Sequence, residues 1–196
     1  MVRVHNRCLA PGIHANGRSA DVRSGRYSER MILLGIDPGT AETGYGVITV
    51  QGSRLEAVDH GVIATSAREP LEQRLVHIFA EVTDLISRHE PASCALEDLF
   101  VGGNPRTILS VGHARGAVLT ACGRAGIPAT GYPPAEVKMT VCGFGRADKS
   151  QVQRMVTASL RLARPPASEH AADALAVAVC HAHSSRTNAA LEAAAG

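Results

Sequence analysis

Hydrophobic positions along this chain switch between two spacings. Residues 31–36 form an apolar run of strand length that ends in Asp37, and Pro38-Gly39 stops it at once. Residues 45–50 follow Gly44 as a return strand, and Gln51-Gly52-Ser53 supplies a turn. A third strand is predicted over 55–64, with a break at Gly61. The spacing then lengthens. Leu71, Leu75, Ile78, Phe79, Val82, Leu85 and Ile86 make one stripe of a helix over 69–89, which Pro91 closes. Residues 92–97 repeat the first construction, a short apolar strand ending in a carboxylate, Glu97.

Beyond it, Leu99-Phe100-Val101-Gly102-Gly103 is an apolar, glycine-hinged loop that leads to Asn104-Pro105. Asn at the cap and Pro at the first helical position predict a helix running to about residue 124. Its Gly112, Ala114, Gly116, Ala117 and Ala121 admit close approach, either by another copy of the helix or by the chain's own sheet. Residues 127–132 supply a fifth strand, Pro133-Pro134 opens a short helix through 141, and Gly143-Phe144-Gly145 is a flexible link. Asp148 with Gln151 makes a capping box for a helix to about 162. After Pro165-Pro166 the last helix is predicted over 168–183, its small apolar residues 171–178 suited to lying on a sheet. Residues 184–196 are expected to fray. Three strands in a meander, followed by alternating helices and strands, predict an α/β fold with a mixed five-stranded sheet flanked by helices.

A chain of 196 residues suffices for one domain, here expected over 31–183. Aromatics are only 3%, so Leu, Val, Ile and Ala must build the core. The net charge of +2 is unevenly placed: residues 1–30 hold six Arg against Asp21 and Glu29, and the rest is slightly acidic. A nucleic-acid surface would therefore be a local patch opposite an acidic cluster. Residues 1–30 lack the apolar centre of a secretory signal and read as a disordered extension or an early start; a transit peptide shares their composition. The five cysteines (8, 94, 122, 142, 180) form no CxxC pair, as expected of thiols in a reducing, cytoplasmic setting. No run of about 18 apolar residues is present to span a membrane.

The carboxylates change the picture most. Asp37 and Glu97 each end an apolar strand, and neighbouring strand ends bring such groups together. Asp173 interrupts the apolar last helix, with His170 one turn earlier on the same face. Taken singly, each is as readily a capped turn, a solvated acid or a satisfied histidine. Converging on one edge, they would repel unless a cation lay between them. Hard oxygen donors with one imidazole suit Mg²⁺ or Mn²⁺ rather than structural zinc.

Gly35-Ile36-Asp37-Pro38-Gly39-Thr40, Thr43-Gly44-Tyr45-Gly46-Val47 and Leu96-Glu97-Asp98-Leu99-Phe100 together resemble the RuvC family of Holliday-junction endonucleases. So do Ala114-Arg115-Gly116, Val137-Lys138, Lys149-Ser150-Gln151-Val152 and 170–176, in unbroken order over about 31–183. The resemblance implies an RNase H-like fold and a homodimer that nicks two opposed strands of four-way junction DNA. It also implies a link to the RuvA-RuvB branch-migration complex. Asp37, Glu97 and Asp173 match the family's metal-binding acids, and His170 matches a position bearing Asp or His. Lys138 and Lys149 match DNA-contacting residues, and Phe100 matches an aromatic beside the junction centre. The loop after Phe100 lacks an expected Lys near Gly103, for which Arg106 is the substitute on offer.

A phosphodiester repels an anionic nucleophile, and two Mg²⁺ ions (or Mn²⁺) would acidify the attacking water and stabilise the leaving 3′ oxygen. His170 would either accept the water's proton or ligate an ion. Lys138 and Lys149, the only lysines against 18 arginines, flank the Gly-Phe-Gly link and would hold phosphates. Two other classes stay open at this level. Asp-x-Gly-Thr also occurs in ATP-binding domains of the sugar-kinase and actin type, and a junction-binding protein without catalysis would keep the lysines and Phe100.

Overall fold

The computed structural model describes residues 30–98 and 104–195, with side chains through Ser185. Strands β1 (Met31–Asp37), β2 (Glu42–Gln51) and β3 (Arg54–Ala64) form the antiparallel meander. Strands β4 (Ser93–Glu97) and β5 (Ala129–Tyr132) add in parallel on the other side of β1, giving the order β3-β2-β1-β4-β5. Helices α1 (Leu71–His89) and α2 (Pro105–Ala125) cover one face; α3 (Pro134–Cys142), α4 (Lys149–Ser159) and α5 (Glu169–Ala195) cover the other.

The two-residue repeat of the strands sorts their side chains between these layers. Leu34, Ile36, Val47, Cys94 and Leu96 join the α1–α2 core, whereas Leu33, Ile48, Val50 and Ala95 join the core under α5. Each fully buried Leu or Ile contributes about 1.5–3 kcal/mol by leaving water. Parity then fixes where the strand-end acids go. Asp37 shares a face with Leu33, Glu97 with Ala95 and Glu42 with Ile48, so all three belong to the α5 side of the sheet.

All predicted elements are present, with α1 and β5 each starting two residues later than expected, at Leu71 and Ala129, and four larger differences. β2 begins at Glu42 rather than 45, because Gly44 and Thr43 pair with Val62 and Ile63 of β3. β3 runs unbroken through Gly61, which lies under the Tyr45 ring; the irregularity falls instead near Val58, opposite Val47 and Ile48. α4 ends at Ser159, where Arg161 turns left-handed at φ 53°. α5 continues to Ala195 in place of a frayed tail from 184, as the high helix propensity of its Ala-rich end favours. The Asn104 cap, Pro105 at the first helical position and the Asp148–Gln151 capping box are all formed. The expected N-terminal extension, except Arg30, lies outside the described residues.

Candidate active site

Two glycines let α5 reach the sheet. A Cβ at Gly35 would stand 2.1 Å from the Ala174 carbonyl oxygen, and one at Gly44 would stand 2.0 Å from that of His170. The helix backbone therefore lies directly on β1 and β2, and its first turns bring His170 and Asp173 over the ends of β1 and β4. His170 Nδ1 is 2.7 Å from Asp37 Oδ2, and its Nε2 is 3.4 Å from Glu42 Oε2. Glu97 lies beside Asp37 through the parallel β1–β4 pairing, close enough for the Asp37 charge to act on its carboxyl.

This crowding is electrostatically costly. Burial, then the negative charges of Asp37 and Asp173, push the Glu97 carboxyl up to about 8, against a smaller opposing pull from Lys138. Burial and Asp37 raise Asp173 to about 6, while Lys149 and His170 pull the other way. Among the described residues no three carboxylate or imidazole groups close around one point as a finished ligand cage. The donor set fits a hard divalent cation all the same: half-buried oxygen ligands of like charge, with Glu97 and Asp173 raised in proton affinity by burial and by the neighbouring Asp37 charge, are what such an ion would relieve. Asp37, Glu97 and Asp173 would hold it, with His170 at the rim.

The lysines flank this cluster from α3 and α4. Lys138 acts on Glu97, and Lys149 sits near enough to Asp173 and Asp37 for their charges to raise its proton affinity, after the larger effect of its hydrogen bond to Glu169. That Lys149–Glu169 ion pair is exposed on both sides. Arg106 stands exposed in the first turn of α2, and its side chain makes no hydrogen bond or ion pair with the cluster among the described residues. Phe100 lies outside the described residues.

Two participants, Glu42 and Glu169, were not foreseen in the sequence, and Arg115 entered there only as part of a family motif, with no role. Glu42 precedes the strand expected over 45–50, and its even spacing from Ile48 was the available signal. Glu169 occupies Lys149. Arg115 donates from Nη1 to the Glu97 carbonyl at 3.0 Å and pairs through Nη2 with Asp98 at 2.8 Å.

The family model described as crossover junction endodeoxyribonuclease RuvC matches residues 33–181. The chain belongs to the RuvC family. It is 46% identical over 153 residues to the RuvC of Pelotomaculum thermopropionicum, covering 78% of this chain and 93% of that protein. It is 49% identical over 152 residues to that of Moorella thermoacetica, covering 78% and 91%. Among solved structures, Thermus thermophilus RuvC superposes with a TM-score of 0.76 at 37% identity, covering 81% of this chain and 98% of that one. The T. thermophilus RuvC complex with Holliday junction substrate gives 0.78 at 38% identity, covering 81% and 97%. The yeast mitochondrial Holliday junction resolvase Ydc2, at 12% identity and a TM-score of 0.56, shares the fold. Membership establishes the RNase H-like architecture expected from the sequence, and the motifs quoted for the resemblance lie within the matched span.

Proposed function

We propose that this protein is a Holliday-junction-resolving endonuclease of recombination and DNA repair that hydrolyses phosphodiesters with divalent-ion help. The observation that carries the reading is the approach of Asp37, Glu97 and Asp173 at the ends of the central strands β1 and β4, with Glu97 raised to about 8 by burial and by the charges of the other two. Mg²⁺ is the ion we assign, two per site, with Mn²⁺ able to replace it. When bound it supplies an acidified water and stabilisation of the leaving oxygen. The chain's own residues do the rest. Asp37, Glu97 and Asp173 would hold the cation charge at the ends of β1 and β4. His170, hydrogen-bonded to Asp37, is oriented either to receive a proton or to complete the ligand set.

Lys138 and Lys149 hold phosphates; Glu169 must yield Lys149 to the DNA when it binds. Arg106 and Phe100 are assigned to the junction by the family pattern, Phe100 as a stacking group near the centre. The protein would act as a homodimer, because a four-way junction offers strands related by two-fold symmetry. Ala114 and Ala121 of α2 are buried in the chain's own core, whereas Leu109 (62% exposed), Gly116 and Leu119 (40%) face outward at helical spacing and offer an isologous surface. We infer cytoplasmic work alongside the RuvA-RuvB complex; no helix among the described residues is long and apolar enough to cross a membrane.

The small phosphotransferase and the non-catalytic binder are not favoured, since the chain belongs to a nuclease family and all four acid and imidazole positions are filled. Incubation with a synthetic four-way junction and a linear duplex of the same sequence, in Mg²⁺, Mn²⁺ or EDTA, tests the reading. Cutting of the junction alone, and only with metal, is expected. Equal cutting of the duplex, or cutting in EDTA, contradicts it.

A further inference from the structure

Glu97 and Asp98 are adjacent acids at the end of β4, and strand parity sends them to opposite faces. Glu97 goes to the α5 side; Asp98 goes to the α2 side, where Arg115 meets it at 2.8 Å. The same guanidinium donates to the Glu97 carbonyl at 3.0 Å, and the Asp98 N–H donates to the Tyr132 carbonyl at 2.8 Å. Gly131 of β5 makes the room: a Cβ there would lie 2.2 Å from Asp98 Oδ1 and 2.8 Å from Arg115 Nη2. The end of β4 is thus tied to α2 and to β5 at the residue where the strand stops. Arg115 is only 20% exposed and Asp98 37%, so the pair is shielded from much of the solvent screening that weakens surface ion pairs.

We propose that Arg115 and Asp98, seated on Gly131, form a positioning clamp that holds Glu97 in register for the divalent ion from the opposite face of the sheet. The clamp rests on the assignment of Glu97 as an ion ligand. Arg115 touches neither substrate nor ion; it acts through the Glu97 backbone. A Glu side chain whose Cα is free to shift by a fraction of an ångström presents its oxygens off the ligand position, and groups that orient ligands in this way typically set about 10–100-fold in affinity or activity.

The test is Mn²⁺ binding to the full chain, read from the loss of the free-ion EPR signal, beside junction cutting, junction binding in EDTA and thermal melting. Arg115→Ala and Gly131→Ala should weaken Mn²⁺ binding by about 10–100-fold and raise the Mn²⁺ needed for half-maximal cutting by a similar factor. Junction affinity in EDTA should stay near wild type. Asp98→Asn, which keeps an acceptor for Nη2, should fall between these variants and wild type. It carries the test if Arg115→Ala fails to fold. Lowered melting temperature with unchanged Mn²⁺ binding would overturn the clamp and leave a purely structural pair. Glu97→Gln is the control. If it binds Mn²⁺ as wild type does, the assignment of Glu97 fails and the clamp with it; if it loses binding while Arg115→Ala and Asp98→Asn do not, the clamp alone fails.

Discussion

Glu97→Gln should stabilise the metal-free protein, and increasingly so as pH rises. The folded site raises the Glu97 carboxyl from an ordinary 4.5 to about 8. At ~1.36 kcal/mol per tenfold change in proton affinity, that rise sets a ceiling of about 5 kcal/mol. The folded form holds the proton more tightly than the unfolded chain, so its contribution is fully present below about pH 4.5 and is lost as pH climbs through about 8. Asp37 and Asp173 cause part of the rise, and Asp173, itself raised to about 6, competes for the proton, which puts the loss on the order of 2–5 kcal/mol. Gln keeps the shape and cannot ionise. For a domain of this size, about 2–4 °C per kcal/mol converts the difference to roughly 4–20 °C of melting temperature. Melts of both proteins in EDTA between about pH 5 and about pH 9 read it directly: coincident at the acid end, separated at the alkaline end. Adding Mg²⁺ at alkaline pH should stabilise the wild type more than the variant and close the gap. Parallel profiles across the whole range would refute the electrostatic crowding on which the metal assignment stands.

Asp37→Asn, Glu97→Gln and Asp173→Asn should each abolish junction cutting while preserving junction binding in a gel-shift assay; a variant that cuts at near wild-type rate removes its residue from the site. Lys138→Ala and Lys149→Ala should each lower the slope of log affinity against log salt by about 1, the signature of one lost phosphate contact. Gly35→Ala sets a methyl 2.1 Å from the Ala174 carbonyl oxygen, so α5 must lift from β1. An overpacking cost of about 1–3 kcal/mol or more in the melt, with cutting lost because His170 and Asp173 move, is the expected result.

The fold was legible wherever local chemistry and tertiary packing agree. Asn104-Pro105 and Asp148 with Gln151 satisfy their own helix ends, and β1 and β4 are apolar because both faces of the sheet are covered. Gly61 misled because a glycine in a strand reads as a break, whereas here it accommodates the Tyr45 ring across the strand pair. The end of α5 misled in the opposite sense, since an Ala-rich tail carries helix propensity without any packing pattern. Within the site, Asp37, Glu97 and Asp173 stood out because acids in apolar segments have no packing reason. Glu42 did not, and Arg115 was noted without a role, because their partners come from the first turn of α5 and the end of β4, and only strand parity in three dimensions reveals which face each one meets.

Mapping the nicks on a four-way junction labelled in each strand in turn tests the central claim most directly. With Mg²⁺ or Mn²⁺ present, wild-type protein should open two opposed strands at symmetry-related positions and leave ends that a ligase can seal. Mixed dimers bearing one Asp37→Asn subunit should nick only one strand. Cuts scattered along the arms, or two symmetric nicks made by protein lacking Asp37, Glu97 and Asp173, would contradict the account.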